Sequence, residues 1–418
     1  MGSNEREDDT GEPDRFGRKK LGIIHAATTL LNDEGIKGTT FQEVARLVGL
    51  NTSSITYYFR RKEQLVEAVY EATLERMAAM ADEALALPTP RERVAHWVST
   101  HVDLRNSIRR GEQGRIAVLS EMRTLPEDML ASLNERYVDL FRRIRGFFGD
   151  PANEAEKRLF TARAHILLEI VFWLPAWTPL YSSRDFPRVK AQLMNVIGDG
   201  MALPGARWSP QVLDGRDRWR TSEQGRSPQG EFLRMATVMI NQRGYKGASV
   251  QSIASGLNVT KGSFYHHHEA KDDLVLQCFE NSYERLSSVQ LAALGMDGDG
   301  WARLTGTIAE LLDLQFNDPT PLLRTAALQA VPLERRAVVL QRSERVGRRF
   351  SGMLVDAFAE GSIRIVDPLI AAQVLLATLN AAYEMRGWSQ QFDDPAEAVR
   401  CYAWSFAYGM FPGLDVAG

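Results

Sequence analysis

Thr39-Thr40-Phe41-Gln42-Glu43-Val44-Ala45-Arg46-Leu47-Val48-Gly49-Leu50-Asn51-Thr52-Ser53-Ser54-Ile55-Thr56-Tyr57-Tyr58-Phe59 is the stretch on which the reading of this chain turns. Thr40 is a good helix N-cap, and Thr40-x-x-Glu43 reads as a capping box opening a short helix through Leu47. Gly49 supplies the left-handed residue that a tight turn between helices needs. Asn51 caps a second short helix, Thr52 to Tyr57, with Ile55 turned inward and small or hydroxylated residues outward. Two short helices about a Gly-containing turn form a helix-turn-helix, whose second helix enters the DNA major groove. Lys62 follows at the start of the next helix, where an ammonium and free backbone N–H groups can meet a phosphate.

The same pattern occurs a second time. Ala27-Thr28, Asn32, Gly35-x-Lys37-Gly38, Gln42, Ala45, Ser54, Lys62, Leu65-Val66 and Glu75-Arg76 recur without gaps as Ala236-Thr237, Asn241, Gly244-x-Lys246-Gly247, Gln251, Ala254, Ser263, Lys271, Leu274-Val275 and Glu284-Arg285. Gly200-Met201 recurs as Gly409-Met410 near the end. The offset is 209 throughout and the chain is 418 residues long, so the repeat unit is half the chain. Such a period is far too long for a solenoid and reads as two whole units in tandem.

From Pro204 to Gly230, seven Pro and Gly residues interleave with Arg and Asp, the composition of a linker. Extended, it spans on the order of 90 Å at ~3.3 Å per residue and forbids no arrangement of the halves. Trp208 and Trp219 point to packing of part of it on a domain surface. Apolar residues follow helical spacing nearly everywhere, as in Leu21-Ile24-Ala27-Leu30-Leu31, Arg158 to Leu174 and Pro368 to Tyr383. The expected fold is all-α, with two tandem helix-turn-helix DNA-binding domains, each followed by a helical bundle for ligand binding and dimerisation. The expected boundaries are 1–16 disordered acidic tail, 17–77 first helix-turn-helix domain and 78–203 first bundle. A linker at 204–228, a second helix-turn-helix domain at 229–286 and a second bundle at 287–418 follow.

Composition excludes other classes. The chain is 44% hydrophobic and 25% charged, with 50 Lys+Arg against 53 Asp+Glu and a net charge of −3. Any nucleic-acid surface therefore comes from local clustering. No apolar run reaches the ~18–20 residues of a membrane span, and Met1 to Lys20 has no signal core. Cys278 and Cys401 are far apart, which gives no zinc motif and no disulfide framework. A reducing cytoplasm is the expected compartment.

These residues resemble the tetracycline-repressor (TetR) family of bacterial transcriptional regulators. The first copy carries Gly35-x-x-x-Thr39-Thr40, Val44-Ala45, Val48-Gly49-Leu50, Ile55-Thr56-Tyr57-Tyr58-Phe59 and Lys62-Glu63-x-Leu65. The second carries Gly244-x-x-x-Ala248-Ser249, Ile253-Ala254, Leu257-Asn258-Val259, Gly262-Ser263-Phe264-Tyr265-His266-His267-His268 and Lys271-Asp272-x-Leu274. The match covers about 50 residues of each half. The resemblance implies DNA contacts at Gln42, Thr52, Ser53, Ser54, Thr56, Tyr57, Tyr58 and Lys62. In the second copy it implies them at Gln251, Lys261, Gly262, Ser263, Tyr265, His266, His267 and Lys271.

The second copy departs from the pattern in three places. Asn258 stands in place of the turn Gly, Ser252 in place of the capping-box Glu, and His268 in place of a packing Phe. Arg15-x-x-Arg18-Lys19-Lys20 reads as a basic arm on DNA or as a solvated tail, and the linker's Arg216, Arg218, Arg220 and Arg226 carry the same two readings.

Other signals lead nowhere. His266-His267-His268 point ~100° apart on a helix and do not converge on one ion. His96 and His101 miss the i, i+4 spacing, and Gly295 to Gly300 lacks both key carboxylates of a calcium loop. The chain has no P-loop, HExxH, GxSxG or dinucleotide fingerprint, so no catalytic or metal residues, no cofactor and no enzyme activity are expected.

The bundles are rich in aromatics, among them Trp97, Phe141, Phe172, Trp173 and Trp177, most of which are core material. The resemblance implies a small-molecule inducer between bundle helices, here a small apolar or aromatic effector, with His101, Arg105 and Glu169 as polar partners. It also implies dimerisation through the last two helices of each half, about 154–173 with 185–200 and 368–390 with 395–409, made intramolecular by the fusion. The expected function is a sequence-specific DNA-binding regulator, a ligand-responsive repressor acting as a single-chain pseudo-dimer on an imperfectly palindromic operator, with no membrane partner. The alternative is a small-molecule sensor or protein-interaction module whose second helix-turn-helix has lost DNA binding.

Overall fold

A computed structural model describes residues 12–213, 227–260, 262, 271–324, 327–328, 331 and 333–414. Among the described residues every regular element is helical. In the first half, α1 (Glu12–Gly38), α2 (Phe41–Val48) and α3 (Thr52–Tyr58) form the head. A bundle follows of α4 (Lys62–Leu85), α5 (Pro90–Arg109), α6 (Glu127–Arg145), α7 (Glu154–Trp177) and α8 (Phe186–Asp199), with a 3-10 segment at Leu119–Thr124 before α6. The second half repeats this with α9 (Pro228–Gly247), α10 (Val250–Gly256), α11 (Lys271–Leu294), α12 (Gly300–Phe316), α13 (Leu333–Ala359), α14 (Pro368–Ala381) and α15 (Pro395–Ala407).

Local sequence sets these boundaries. Thr89 and Glu92 form a reciprocal capping box with Pro90 in the first turn of α5, and Asn153 Oδ1 accepts from Glu156 N to cap α7. Gly35 and Gly244 have φ 69° and 70°, so the first helix of each half breaks at the same repeated glycine. Helix α1 begins at Glu12, within the stretch 1–16 expected as a tail, because Pro13 is tolerated in a first turn where its missing N–H is not needed. The linker is only partly free-standing in sequence terms. Its residue Arg207 accepts at its carbonyl from Trp301 Nε1 at 2.9 Å, Ala206 from Tyr408 Oη at 3.0 Å, and Leu213 is buried. Trp208 also packs against the core, whereas Trp219 and the arginines at 216, 218, 220 and 226 lie outside the described residues.

Helices α7 and α8 pack against α14 and α15, so the two halves share one hydrophobic core. Glu154–Leu180, which includes α7, is apolar and long enough to cross a membrane, with mean hydropathy 1.4, contrary to the expectation that no run would be. It is a core helix: Leu159, Ala162, Ile166, Leu167, Ile170 and Leu174 are enclosed, because a helix with partners on several sides has no face left for water. Polar links cross the same seam. Trp173 Nε1 donates to Gln373 Oε1 at 2.9 Å, Tyr402 Oη lies 3.2 Å from His165 Nδ1, and Arg123 pairs with Glu384 at 2.9 Å. At the end of the seam the repeated glycines meet: Met201 N donates to Ala407 O and Met410 N to Ile197 O, both at 2.8 Å.

Candidate nucleic-acid interface and effector bundle

In the first head, Thr40 Oγ1 accepts from Glu43 N at 3.2 Å, but the Glu43 carboxylate turns to Arg46 Nε at 2.9 Å instead of closing the capping box. An exposed guanidinium one turn on is a stronger partner than one more backbone N–H. Gly49 takes φ 67°, and Asn51 Oδ1 accepts from Ser54 N at 2.8 Å and from the hydroxyls of Ser53 and Ser54. Ile55 and Phe59 are buried and anchor α3. That packing leaves Gln42, Thr52, Ser53, Thr56 and Tyr57 exposed, and Ser54 and Tyr58 partly so.

Tyr57 is 75% exposed, and its ring neighbours among the described residues are Phe16 at 6.2 Å and Tyr58 at 5.4 Å, so a side chain with much apolar surface stands in water on the outer face. Lys62 opens α4, and its Nζ donates to the Lys37 carbonyl at 3.2 Å. The expected contact set of the first copy therefore lies on α2, α3 and the first turn of α4.

The second head keeps the first half of this device. Ser249 caps α10 with its hydroxyl on Ser252 N at 3.0 Å, Ile253 and Ala254 are buried, and Asn258 takes φ 56° where Gly49 stood. Gln251 and Gly262 are exposed. Lys261, Ser263, Tyr265, His266, His267 and His268 lie outside the described residues, and of Lys271 the backbone alone is described, opening α11.

Both heads are tied to their bundles by the repeated asparagines Asn32 and Asn241. Asn32 donates to Ile116 O at 2.9 Å and accepts from Val118 N at 2.9 Å. Asn241 donates to Leu322 O at 2.9 Å and accepts from Arg324 N at 3.0 Å. Thr73 Oγ1 and Ser282 Oγ accept from Ala117 N and Leu323 N of the same loops, both at 2.9 Å. The match of Asn32 with Asn241 is the sequence signal of this tie; the loops they hold differ in sequence.

The expected effector residues divide into two groups. Trp97, His101 and Arg105 are spaced by four on α5 and share one face of it. The rings of Trp97 and His101 are 4.0 Å apart, and burial drives the His101 imidazole down to about 3, so it is neutral at ordinary pH. Phe141, half-buried on α6, and Phe172, half-buried on α7, pack at the edge of the core, while Trp177 is buried against Tyr181 at 5.7 Å. Glu169 and Trp173 do not join the α5 face. Trp173 is bonded to Gln373 of the other half, and Glu169, raised to about 8 by burial and then by the Glu384 carboxylate, sits beside His165 at 3.9 Å. They belong to the seam, because the α7 face they share is the one covered by α14.

Residues 23–69 and 232–278 each match the family model described as bacterial regulatory proteins, tetR family. An uncharacterized HTH-type transcriptional regulator of Bacillus subtilis (strain 168), YhgD, is 37% identical over 73 residues, 18% of this chain and 38% of that protein. The HTH-type transcriptional repressor KstR2 of Mycobacterium tuberculosis is 38% identical over 56 residues, 13% of this chain and 28% of its own. The chain thus spans less than two fifths of the length of these curated relatives. The solved structure of the ketosteroid transcriptional regulator KstR2 of Mycobacterium tuberculosis overlays 44% of this chain and 95% of its own, at 18% identity and a TM-score of 0.37. Fold and heads together define an all-α protein with two helix-turn-helix domains. The chain thus carries two N-terminal helix-turn-helix domains of the tetR family in tandem, at residues 23–69 and 232–278.

Proposed function

We propose that this regulator is a cytoplasmic, ligand-responsive repressor in which one chain does the work of a dimer. The carrying observation is the seam of α7, α8, α14 and α15, which joins two heads that the repeat makes equivalent in plan and different in detail. A twofold pair of heads reads two half-sites about one helical turn apart, so symmetric protein calls for symmetric DNA. Here the reading faces differ: Thr52, Ser53, Thr56 and Tyr57 in one copy stand against Lys261, Tyr265, His266 and His267 in the other. The operator is therefore an imperfect palindrome, with Lys261 available to donate to guanine O6 and N7 in one half-site.

An effector in the first bundle acts by favouring a head spacing that no longer fits the DNA, with coupling of ~1–3 kcal/mol. The test is footprinting and affinity on the operator, and on versions with each half-site scrambled separately. Both scrambles weaken binding if both heads read, and by different factors. If scrambling one half-site changes nothing and Lys261→Ala and Lys271→Ala are silent, the second head does not read DNA and the sensor reading replaces this one.

A further inference from the structure

Buried polar atoms seldom lack partners, because each unmet one costs about 1–3 kcal/mol. Tyr70 Oη on α4 and Trp97 Nε1, His101 Nε2 and Arg105 Nε on α5 are all buried in the first bundle without a hydrogen-bond partner. His101 Nδ1 is engaged by the Trp97 carbonyl at 2.8 Å, which leaves Nε2 as the free end of the ring.

Charge is unbalanced at the same place. The charges that act on Arg105 are those of Arg115 and Arg76, and all three are cations. Arg115 is neutralised by both oxygens of Asp33, at 2.8 and 3.0 Å. Arg76 donates to the Gly114 carbonyl and the Gln113 amide, neither of which carries charge. Two guanidinium groups thus stand beside an apolar core with no carboxylate on either among the described residues.

The second half is a control built into the chain. Helices α5 and α12 start from N-caps Thr89 and Asp299, and their buried residues stay in that register: Val94 with Leu304, Val98 with Ile308, Val102 with Leu312. In this register, 210 and not 209 because the loop before α12 is one residue longer than that before α5, Trp97, His101 and Arg105 become Thr307, Leu311 and Gln315. Thr307 Oγ1 donates to Arg303 O at 2.8 Å. The Gln315 amide donates to Leu379 O and Asn380 O at 3.1 Å and accepts from Leu322 N at 3.0 Å. The same position in the fold is self-satisfied in one half and unmet in the other.

We propose that the first bundle, and not the second, binds a monocarboxylate with an apolar body, its carboxylate on Arg105 and Arg76 and its body against Trp97 and His101. This rests on the reading of that bundle as the effector domain and names the ligand's chemistry. A planar guanidinium pairs with a carboxylate through two parallel hydrogen bonds, stronger than neutral ones. Trp97 and His101 are fully enclosed, so entry requires α4 and α5 to part. Helix α4 carries Arg76 at one point and Lys62 of the head 14 residues earlier, about 21 Å along a rigid rod. Displacement at the site is therefore displacement at the DNA face.

The experiment uses the full chain with phenylacetate and decanoate, each at millimolar concentration against its own amide, read by thermal melting and titration calorimetry. The expected result is stabilisation by at least one of the acids and not by its amide, with at least tenfold weaker binding in Arg105→Gln, whose ligand-free melting temperature rises. Should Arg105→Gln fail to fold, Arg105→Lys, which keeps the charge and loses the fork, is expected to bind more weakly than the native chain. Equal response to acid and amide, no response to either acid, or acid binding unchanged in both Arg105 variants overturns the proposal. Operator affinity is measured in parallel: a carboxylate that binds through Arg105 and leaves operator affinity unchanged keeps the site and removes its role as effector site.

Discussion

Asn258 is the one non-glycine residue with positive φ among the described residues, and it stands where the first copy has Gly49. A left-handed residue is demanded by the tight turn in both heads, and Asn is among the few side chains that visit this region readily. The turn geometry therefore survives a substitution that breaks the motif. Lys62 is equally tied to its place: it is the first residue of α4, its Nζ donates to the Lys37 carbonyl at 3.2 Å, and the phosphate contact proposed for it is open to test. Lys62→Ala is expected to weaken binding to every DNA sequence alike and to lower the slope of log affinity against log salt by about one, as read by fluorescence anisotropy across a salt series.

His101 carries a pH signature. Its folded value lies near 3 against an ordinary 6.5, first because burial disfavours the charged ring and then because Arg105 and Arg76 repel it. The unfolded chain binds the extra proton between these values, so the stability this group contributes is complete above pH 6.5 and is lost as pH falls toward 3. His101→Gln is expected to flatten that part of the acid limb, by up to ~1.4 kcal/mol per pH unit, in denaturant melts from pH 7 to pH 4.

Among the elements, the loops after α8 and α15 fix how closely the halves approach. Gly200 has φ 67° and Gly409 φ 99°, and a Cβ on either would lie 2.4 Å from backbone atoms of the opposite loop. Glycine is required here twice over, for its backbone angle and for the contact. Arg364 holds the corner, donating from its backbone to Met201 O at 2.9 Å and from its guanidinium to Gly200 O and Asn195 Oδ1. Gly409→Ala is expected to cost ~3 kcal/mol or more, since the atoms in the way are backbone and cannot swing aside. The check is equilibrium unfolding: loss of a single transition in favour of two would show the halves separating before they unfold.

For the chain taken entire, the proposed pseudo-dimer turns an association between molecules into one within a molecule. Linking two partners covalently gives an effective concentration of about millimolar or higher, so pairing of this kind would not depend on expression level. The seam is near-isologous in plan, with Met201 bonded to Ala407 and Met410 to Ile197, one residue short of the exact repeat, and an isologous contact closes on itself. Light scattering at micromolar concentration is expected to give the mass of one chain. A stable mass of two chains, each half paired with its counterpart in the other, would overturn the single-chain architecture.

The repeat, the all-helical class and the first helix-turn-helix were legible in the residues because they rest on local rules. Thr40, Gly49 and Asn51 do at their own positions what their types favour anywhere, and a constant offset of 209 is visible without any fold. Other features escaped such rules. Nothing local distinguishes Glu169 and Trp173 from pocket residues; they face the seam only because α14 covers that side of α7. The Glu43 carboxylate fits a capping box by spacing and is drawn off by Arg46. The charge on Arg105 is readable at once, but that its neighbour Arg115 is paired with Asp33, 82 residues away in sequence, and Arg105 with no carboxylate among the described residues, is not. Whether a polar group is satisfied is a statement about every neighbour it meets, and those neighbours are assembled only when distant parts of the chain pack together.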